Sequence, residues 1–268
     1  MSQSRTILKN TFGVGLAQII ERASTVYLGI LVARKLGADG LGVYSAAMVY
    51  YGLLFLAAEI GSTTYLTREI ARDPNQTSRY VVHLAAMSSA FAIVLAVIAR
   101  MVMPWFGYSQ QLLGCLYVII WAIIPAVFKA IQEGVFIAYE RAEFLTYSAV
   151  IAGIINVGAS LYLLLRGYGV LSLVIAFVIV QFAVAGFYFI VIHRMVELRW
   201  EFSFPFAWKI VREMRAFTGV SLVQGFLSRP EIILLSFTKN DAEIGFYSAA
   251  LRIVDLLSLI HISEPTRP

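Results

Sequence analysis

Long stretches without a charged residue dominate this sequence. They lie between Arg79 and Arg100, between Arg100 and Lys129, between Glu143 and Arg166, and between Arg166 and Arg194. An α-helix needs about 20 apolar residues to cross the hydrocarbon core of a bilayer, and each stretch is long enough to do so. A buried helix of a soluble protein would still carry a polar face, which these stretches lack. With 60% hydrophobic and 14% charged residues, the chain is predicted to be an all-α, polytopic membrane protein.

Gly and Pro residues punctuate the apolar stretches and set the limits of the predicted helices. An eighth helix is predicted to begin near Phe246. The seven predicted helices that precede it cover residues 12–33, 43–66, 80–103, 112–133, 145–165, 170–192 and 217–237.

Basic residues are distributed unevenly between the two sides of these helices. Cytoplasmic loops of membrane proteins carry an excess of Lys and Arg. The excess favours a cytoplasmic N-terminus, because the opposite side then holds few basic residues, namely Arg34, Lys35, Arg100, Arg166 and Lys239.

Two short phrases occur twice, in the same order and at nearly the same offset. Residues 42–47 read GVYSAA and residues 245–250 read GFYSAA, while residues 13–18 and 219–224 share a second pattern. Such self-similarity indicates a duplicated unit of roughly 200 residues. Because six predicted helices precede the second copy, both copies enter the membrane in the same direction, as in parallel-repeat transporters.

The duplication predicts the organisation of the chain. Residues 1–192 form a first six-helix lobe, residues 193–216 a cytoplasmic linker, and residues 217–256 the first one to two helices of a second, parallel-repeat lobe. Residues 257–268 turn polar and include Pro265, which breaks the apolar pattern, and we expect them to be a non-native tail of a truncated second lobe.

Aromatic residues alternate with polar or small residues along the predicted linker. This pattern is typical of a segment that lies in the membrane interface, and docking of a partner protein is the alternative. The aromatic residues are Trp200, Phe202, Phe204, Phe206 and Trp208.

Charged residues inside the predicted helices are candidates for function, because a charge in the hydrocarbon core is costly. Arg22, Arg229 and Lys129 are predicted to bind an anionic ligand, and Glu21 and Glu59 are the acidic candidates for a functional role. Structural ion pairing, for example between Arg22 and Glu59, is the alternative for the arginines. A second alternative for Lys129 is that its long side chain extends to the membrane interface and places the ammonium group in water.

Other acidic residues and motifs point away from an enzyme. Glu133 and Glu140 are expected in solvated positions at a helix end. The sequence has no phosphate-binding G-x-x-x-x-G-K-[ST] motif, and its three histidines lack the spacing of metal ligands. We therefore predict no enzymatic activity, no cofactor and no metal site.

Several phrases resemble the polysaccharide or lipid-linked oligosaccharide flippases of the multidrug/oligosaccharidyl-lipid/polysaccharide exporter superfamily. The phrase at residues 33–37 and the GVY at 42–44 follow the first predicted helix, and residues 59–61 and 68–72 end the second. The phrase at residues 244–250 begins the eighth. The sequence has Glu59 where such proteins often have Asp.

This resemblance implies two six-helix lobes around a central cavity, working by alternating access. It implies coupling to an ion gradient or to membrane potential, and Glu21 and Glu59 are the candidates for ion coupling. It implies a polyprenyl-diphosphate-linked sugar chain as substrate and a prokaryotic cytoplasmic membrane as location. It also implies membrane lipids and glycan-assembly machinery as partners, and no nucleic acid. Arginine suits the diphosphate because its guanidinium binds phosphate with two parallel hydrogen bonds. The alternatives are a multidrug exporter of the same superfamily, whose cationic substrates would need carboxylates, and a membrane polymerase or glycosyltransferase.

Overall fold

The described part of the chain consists of α-helices joined by short turns. A computed structural model describes residues 2–228, 230–238 and 240–262, and no strand occurs among them. The prediction of an all-α polytopic membrane protein is confirmed. The helices are α1 (Ser2–Glu59), α2 (Ser62–Arg72), α3 (Thr77–Val102), α4 (Gln110–Ile119), α5 (Ile123–Ala138), α6 (Glu143–Leu165), α7 (Val170–Met195), α8 (Phe204–Ser228), α9 (Pro230–Thr238) and α10 (Asp241–Ile262).

Helix α1 is bent sharply at Gly37, which divides it into two arms, residues 2–36 and 38–59. Gly37 has φ 71° and ψ −166°, a conformation that glycine tolerates because it has no Cβ. Pairs of residues whose distances from the bend differ by only two positions line one cavity together, so the arms lie side by side and antiparallel. These pairs are Leu28 with Tyr44, Ser24 with Met48, and Glu21 with Tyr51. The predicted helices 12–33 and 43–66 therefore correspond to the two arms.

The second arm ends at Glu59, and the predicted end of this helix at residue 66 is wrong. Ile60 and Gly61 both have positive φ, 42° and 79°, which interrupts the helix. A Cβ on Gly61 would lie 2.6 Å from the Cβ of Phe217 in α8, so the turn also needs glycine for space. The chain then continues as the short helix α2, which buries Tyr65 and leaves Arg68 partly exposed.

The predicted fourth helix, 112–133, is divided in two in the structure. A 3-10 turn at Ile120–Ala122 separates α4 from α5. Pro125 explains the interruption, because it has no N–H to donate to the carbonyl of Trp121 one turn earlier. Ser109 begins α4, where its Oγ accepts a hydrogen bond of 3.1 Å from the Leu112 amide.

The predicted linker 193–216 is mostly helical. Helix α7 extends to Met195 and α8 begins at Phe204, so only residues 196–203 lie outside helices. The helix forms this early because Phe206, Ile210 and Met214, spaced by one turn, are buried on its inner face.

The last described helix, α10, begins at Asp241 and continues to Ile262. It thus begins before the predicted start near Phe246 and passes residue 256, where we expected native sequence to end. Residues 263–268 lie outside the described residues, and the nature of the tail stays a prediction.

The two copies of the repeated phrase meet where α1 crosses α10. A Cβ on Gly42 would lie 1.7 Å from the Asp241 carbonyl oxygen, and one on Gly245 would lie 2.0 Å from the Ala38 carbonyl oxygen. Each glycine thus packs against the residue four positions before the other, which is the pattern of a two-fold contact. The division into two lobes stays a prediction, but its repeated phrases form one helix crossing.

Five segments of the described chain are long and apolar enough to cross a membrane. They are Gln18–Glu59, Pro74–Phe106, Gln110–Ala138, Glu143–Leu165 and Val170–Met195. Helices α6 and α7 expose large apolar side chains such as Ile154 and Ile179, and such faces are suited to lipid. The chain is a multi-pass membrane protein.

Candidate functional site

A cavity, called the polar cavity for the charged residues in its wall, is enclosed by both arms of α1 and by α5, α6 and α7. Its volume is about 470 Å³, within the range of about 300–1,000 Å³ that is usual for small-ligand sites. Most of its wall is apolar. The charged residues that line it are Glu21, Lys129 and Glu133.

Lys129 and Glu133 form an ion pair within this cavity. They lie one turn apart on α5, and Lys129 Nζ is 3.7 Å from Glu133 Oε1. Their side chains are only 19% and 27% exposed. Charged groups removed from water need a partner, and each supplies one to the other.

Uncharged polar groups surround the pair. Gln181 Nε2 of α7 donates a hydrogen bond of 2.8 Å to the Tyr51 hydroxyl of α1. The Ser148 and Tyr188 hydroxyls, from α6 and α7, are hydrogen-bonded to each other. Asn156 of α6 also lines the cavity. The site therefore offers hydrogen-bond donors and acceptors from three helices beside the charges.

Glu21 lines the cavity from the first arm of α1, near the middle of the predicted helix 12–33. The cavity thus contains two carboxylates and one ammonium group. The ammonium group of Lys129 has three N–H donors. Lys129 can therefore bind an anion either by breaking its ion pair with Glu133 or by donating to both partners at once.

The predicted substrate-binding arginine Arg22 does not line this cavity. Arg22 is exposed on α1 and is not among the lining residues. The described ion pairs do not include Arg22 with Glu59. Arg229 lies outside the described residues. A role of either arginine in substrate binding stays a prediction.

Glu59 has a structural role at the end of the second arm of α1. Its Oε2 accepts a hydrogen bond of 2.8 Å from the Gly61 amide, and its Oε1 accepts one of 2.8 Å from the Thr63 amide. The carboxylate thereby binds amides that begin α2, as capping side chains do. It does not line the cavity, and its predicted part in ion coupling stays a prediction.

Two charged residues of this region escaped the sequence prediction. Glu133 was expected in a solvated position, yet it lies in the cavity; its spacing of four residues from Lys129 was the available signal. Arg252 of α10 donates a hydrogen bond of 2.8 Å to the Thr25 carbonyl on the first arm of α1. No sequence signal indicated this contact, because it joins residues that are far apart in the chain.

Metal binding has no support in the described part of the chain. No group of three or more His, Cys, Asp or Glu residues among the described residues could hold a metal ion. The carboxylates of the cavity are accompanied by a lysine, which disfavours a divalent cation there.

Solved transporters share this fold over most of the chain. A transporter of the MOP superfamily from Pyrococcus furiosus is 17% identical, with a TM-score of 0.66, and the match covers 86% of this chain and 54% of the transporter. An outward-facing multidrug resistance transporter of the MATE family is 16% identical, with a TM-score of 0.69 and coverage of 82% and 52%. The lipid II flippase MurJ, in an inward closed conformation, is 14% identical, with a TM-score of 0.70 and coverage of 90% and 54%.

The chain spans about half the length of these solved transporters. No curated protein sequence matches it. The family model described as "Polysaccharide biosynthesis protein" matches residues 31–265. This match includes both copies of the GVYSAA-like phrase and nearly all of the helices that enclose the polar cavity. The chain has the fold of MOP superfamily transporters and belongs to the polysaccharide biosynthesis protein family.

Proposed function

We propose that the protein moves a lipid-linked, anionic oligosaccharide across the membrane by alternating access. The family is one of polysaccharide biosynthesis, and one protein of the same fold is a lipid II flippase. The observation that carries the proposal is the half-buried Lys129 in a polar cavity enclosed by membrane helices. Placing an ammonium group inside the membrane region costs free energy. Its presence in the cavity is therefore suited to binding an anionic group of the substrate.

In this proposal, Glu133 and the substrate compete for Lys129. While the cavity is empty of substrate, Glu133 neutralises the lysine at 3.7 Å. A diphosphate that enters takes over the ammonium group, because charge-assisted hydrogen bonds to phosphate are strong. Protonation of Glu133 or Glu21 would then remove a negative charge that repels the anionic substrate. Substrate transport would thereby be coupled to the uptake of a proton.

The sugar groups would be bound by the uncharged polar residues of the same cavity. Gln181, Asn156 and the Tyr51 hydroxyl provide both donors and acceptors, which is what sugar hydroxyls require. The lipid tail would stay in the bilayer, facing the apolar surfaces of α6 and α7.

Replacing Lys129 tests the proposal directly. In cells that carry the natural full-length protein with Lys129→Gln, we expect polymer export to fall at least about tenfold, the effect of losing one charge-assisted contact of roughly 1.5 kcal/mol or more. Export is measured as glycan at the cell surface, and protein in the membrane fraction is quantified in parallel. Arg22→Gln and Arg229→Gln are measured in the same assay, and a loss of export in them would extend the proposed binding site to those residues.

Lys35→Gln is the matched control. It removes the same charge from an exposed lysine that does not line the cavity, and export should stay unchanged. Normal export by Lys129→Gln at normal membrane levels would contradict the proposal.

Export of cationic drugs is a second candidate function. The specific observation in its favour is that carboxylates outnumber the ammonium group in the cavity, with Glu21 and Glu133 against Lys129. A transporter of this kind should protect cells against cationic drugs, and Glu21→Gln or Glu133→Gln should abolish that protection. An unchanged drug profile in a deletion strain that has lost surface glycan would exclude this candidate.

A further inference from the structure

The first half of α8, together with the preceding residues 200–203, has two different faces. Phe206, Ile210 and Met214 are buried against the rest of the protein. Phe204 and Trp208 are 81% and 73% exposed. This is the division of an amphipathic helix, but here the exposed face is itself aromatic.

Specific contacts hold this segment in place. The Ser203 amide donates a hydrogen bond of 2.8 Å to His83 Nε2 in α3. The Tyr65 hydroxyl of α2 donates one of 2.6 Å to Glu213 Oε2. The guanidinium of Arg79 lies 4.0 Å from the centre of the Phe206 ring. The exposed face is therefore fixed in orientation and does not depend on a free loop.

The segment packs beside the first residues of a candidate membrane span. The Phe202 ring stacks on His83, and the Phe206 ring packs on Tyr80. Tyr80 and His83 are in the first turns of α3, whose candidate membrane span begins at Pro74. Aromatic side chains at the end of a membrane span are typical of the headgroup region.

Positive charge accompanies the exposed aromatic residues. Arg212 and Arg215 are exposed and follow Phe204 and Trp208 at helical spacing. A shallow groove of about 450 Å³ is lined by Trp208, both arginines, Pro205, Lys209 and Glu213. Glu213 is the acidic member, and its carboxylate is engaged by the Tyr65 hydroxyl and, at 3.9 Å, by Lys209. The stripe formed by Phe204, Trp208, Arg212 and Arg215 has no carboxylate of its own.

We propose that this stripe binds the headgroups of anionic phospholipids in the leaflet on the N-terminal side of the membrane, the predicted cytoplasmic one. The rings of Phe204 and Trp208 enter the interface, and the two guanidinium groups bind lipid phosphates with paired hydrogen bonds. Each basic residue near an anionic membrane surface strengthens binding to that surface by about fivefold.

This surface is separate from the polar cavity. It lies on the outer face of α8, whereas the cavity is enclosed by α1, α5, α6 and α7. The inference therefore goes beyond the proposed function and does not depend on the substrate. We commit to a bilayer phospholipid as the ligand, because the aromatic residues accompany the charge at headgroup depth.

Quenching of tryptophan fluorescence by brominated lipids tests the proposal. The substitutions Trp105→Phe, Trp121→Phe and Trp200→Phe leave Trp208 as the fluorescent tryptophan of the sequence. This variant is reconstituted with brominated phosphatidylglycerol or brominated phosphatidylcholine at equal mole fraction. We expect brominated phosphatidylglycerol to be enriched at Trp208 over phosphatidylcholine, by about fivefold for one arginine and up to about 25-fold for both. Adding Arg212→Gln and Arg215→Gln should remove this preference while leaving the melting temperature unchanged.

The matched control removes two other arginines from the same background. Arg100→Gln and Arg166→Gln alter guanidinium groups that lie on the rings of Tyr117 and Tyr162, at the opposite end of α3 and after α6. The preference at Trp208 should persist in this variant. Equal quenching by both lipids would overturn the proposal and would point to a partner protein for this face. Displacement of phosphatidylglycerol by an equimolar polyprenyl diphosphate would also overturn it, because the site would then serve the substrate.

Discussion

At the scale of single residues, charged groups inside this membrane protein are divided between two uses. Lys129 and Glu133 are kept together in a cavity. Glu59 is also removed from water, at 9% exposure, yet it accepts hydrogen bonds from the amides of Gly61 and Thr63. A charge inside apolar sequence is therefore not sufficient to identify a functional site, because the backbone at a helix break needs acceptors as well.

Removing the Glu59 carboxylate should loosen the start of α2. In Glu59→Ala, the amides of Gly61 and Thr63 lose their acceptor, and we expect a loss of about 1–2 kcal/mol. Hydrogen–deuterium exchange of the peptide around residues 61–66 is the measurement, and exchange should become faster there. Glu197→Ala is the control, since that side chain is 86% exposed, and unchanged exchange in Glu59→Ala would refute the capping role.

Tyr65 connects the same region to α8 by a hydrogen bond to the Glu213 carboxylate. Burial, and then this hydrogen bond, raises the pKa of the Tyr65 hydroxyl above its ordinary value. The hydroxyl therefore keeps its proton in the physiological range and acts as a permanent donor. This hydrogen bond between α2 and α8 helps to hold the stripe of α8 in its orientation.

At the scale of elements, Gly37 decides how the first membrane helix continues. Its φ of 71° allows the two arms of α1 to fold back on each other and to bring Glu21 beside Tyr51. The sequence indicated a break here through Gly37 and Gly40. It did not indicate that a single residue would be enough to reverse the chain, because this depends on packing between the arms.

Substituting Gly37 should cost stability, whereas a similar change nearby should not. Gly37→Ala introduces a Cβ at φ 71° and ψ −166°, a region that is almost restricted to glycine, with an expected cost of about 1–3 kcal/mol and a lower melting temperature in detergent. Gly52→Ala is the matched control on the second arm, where a Cβ meets nothing within 4 Å and alanine favours the helix by up to about 1 kcal/mol. Equal melting temperatures for the two variants would contradict this account of the bend.

At the scale of the whole molecule, the two repeats contact each other through their own repeated sequence. Gly42 and Gly245 allow the backbones of α1 and α10 to touch, each against the carbonyl four residues before the other. Further contacts tie the same end of the molecule, including the hydrogen bond of 2.8 Å between the Tyr50 hydroxyl and Ser236. In the proposed alternating-access mechanism, this crossing would be the pivot between the two predicted lobes.

Gly42→Ala and Gly245→Ala should destabilise the protein in a coupled manner. Each added methyl group would collide with a backbone oxygen and force the helices apart, at about 1–3 kcal/mol. The double variant should lose clearly less than the sum of the two losses, because one displacement makes room for both methyl groups. Thermal unfolding of the four proteins in detergent measures this. Strict additivity would show that the glycines belong to separate contacts, and Gly186→Ala, which meets nothing within 4 Å, is the control.

The sequence by itself determined the class of the protein, its apolar helices, the duplication and the family resemblance. Hydrophobic length and repeated phrases are local signals, and the requirement that every backbone group in lipid be hydrogen-bonded leaves few folds open to such a chain. The early starts of α8 and α10, the division of the fourth helix at Ile120–Ala122 and the end of the second arm at Glu59 were less accessible, because they depend on neighbouring helices.

Only the tertiary structure decided which charged residues share a site. It brought Glu21 and Lys129 to one cavity with Glu133, placed Arg22 away from it, and made Glu59 a cap. Burial and distance between helices are relations among distant residues, and spacing along one helix cannot report them. The physical reason is that a charge is stabilised by the groups it meets in space, which the fold alone selects.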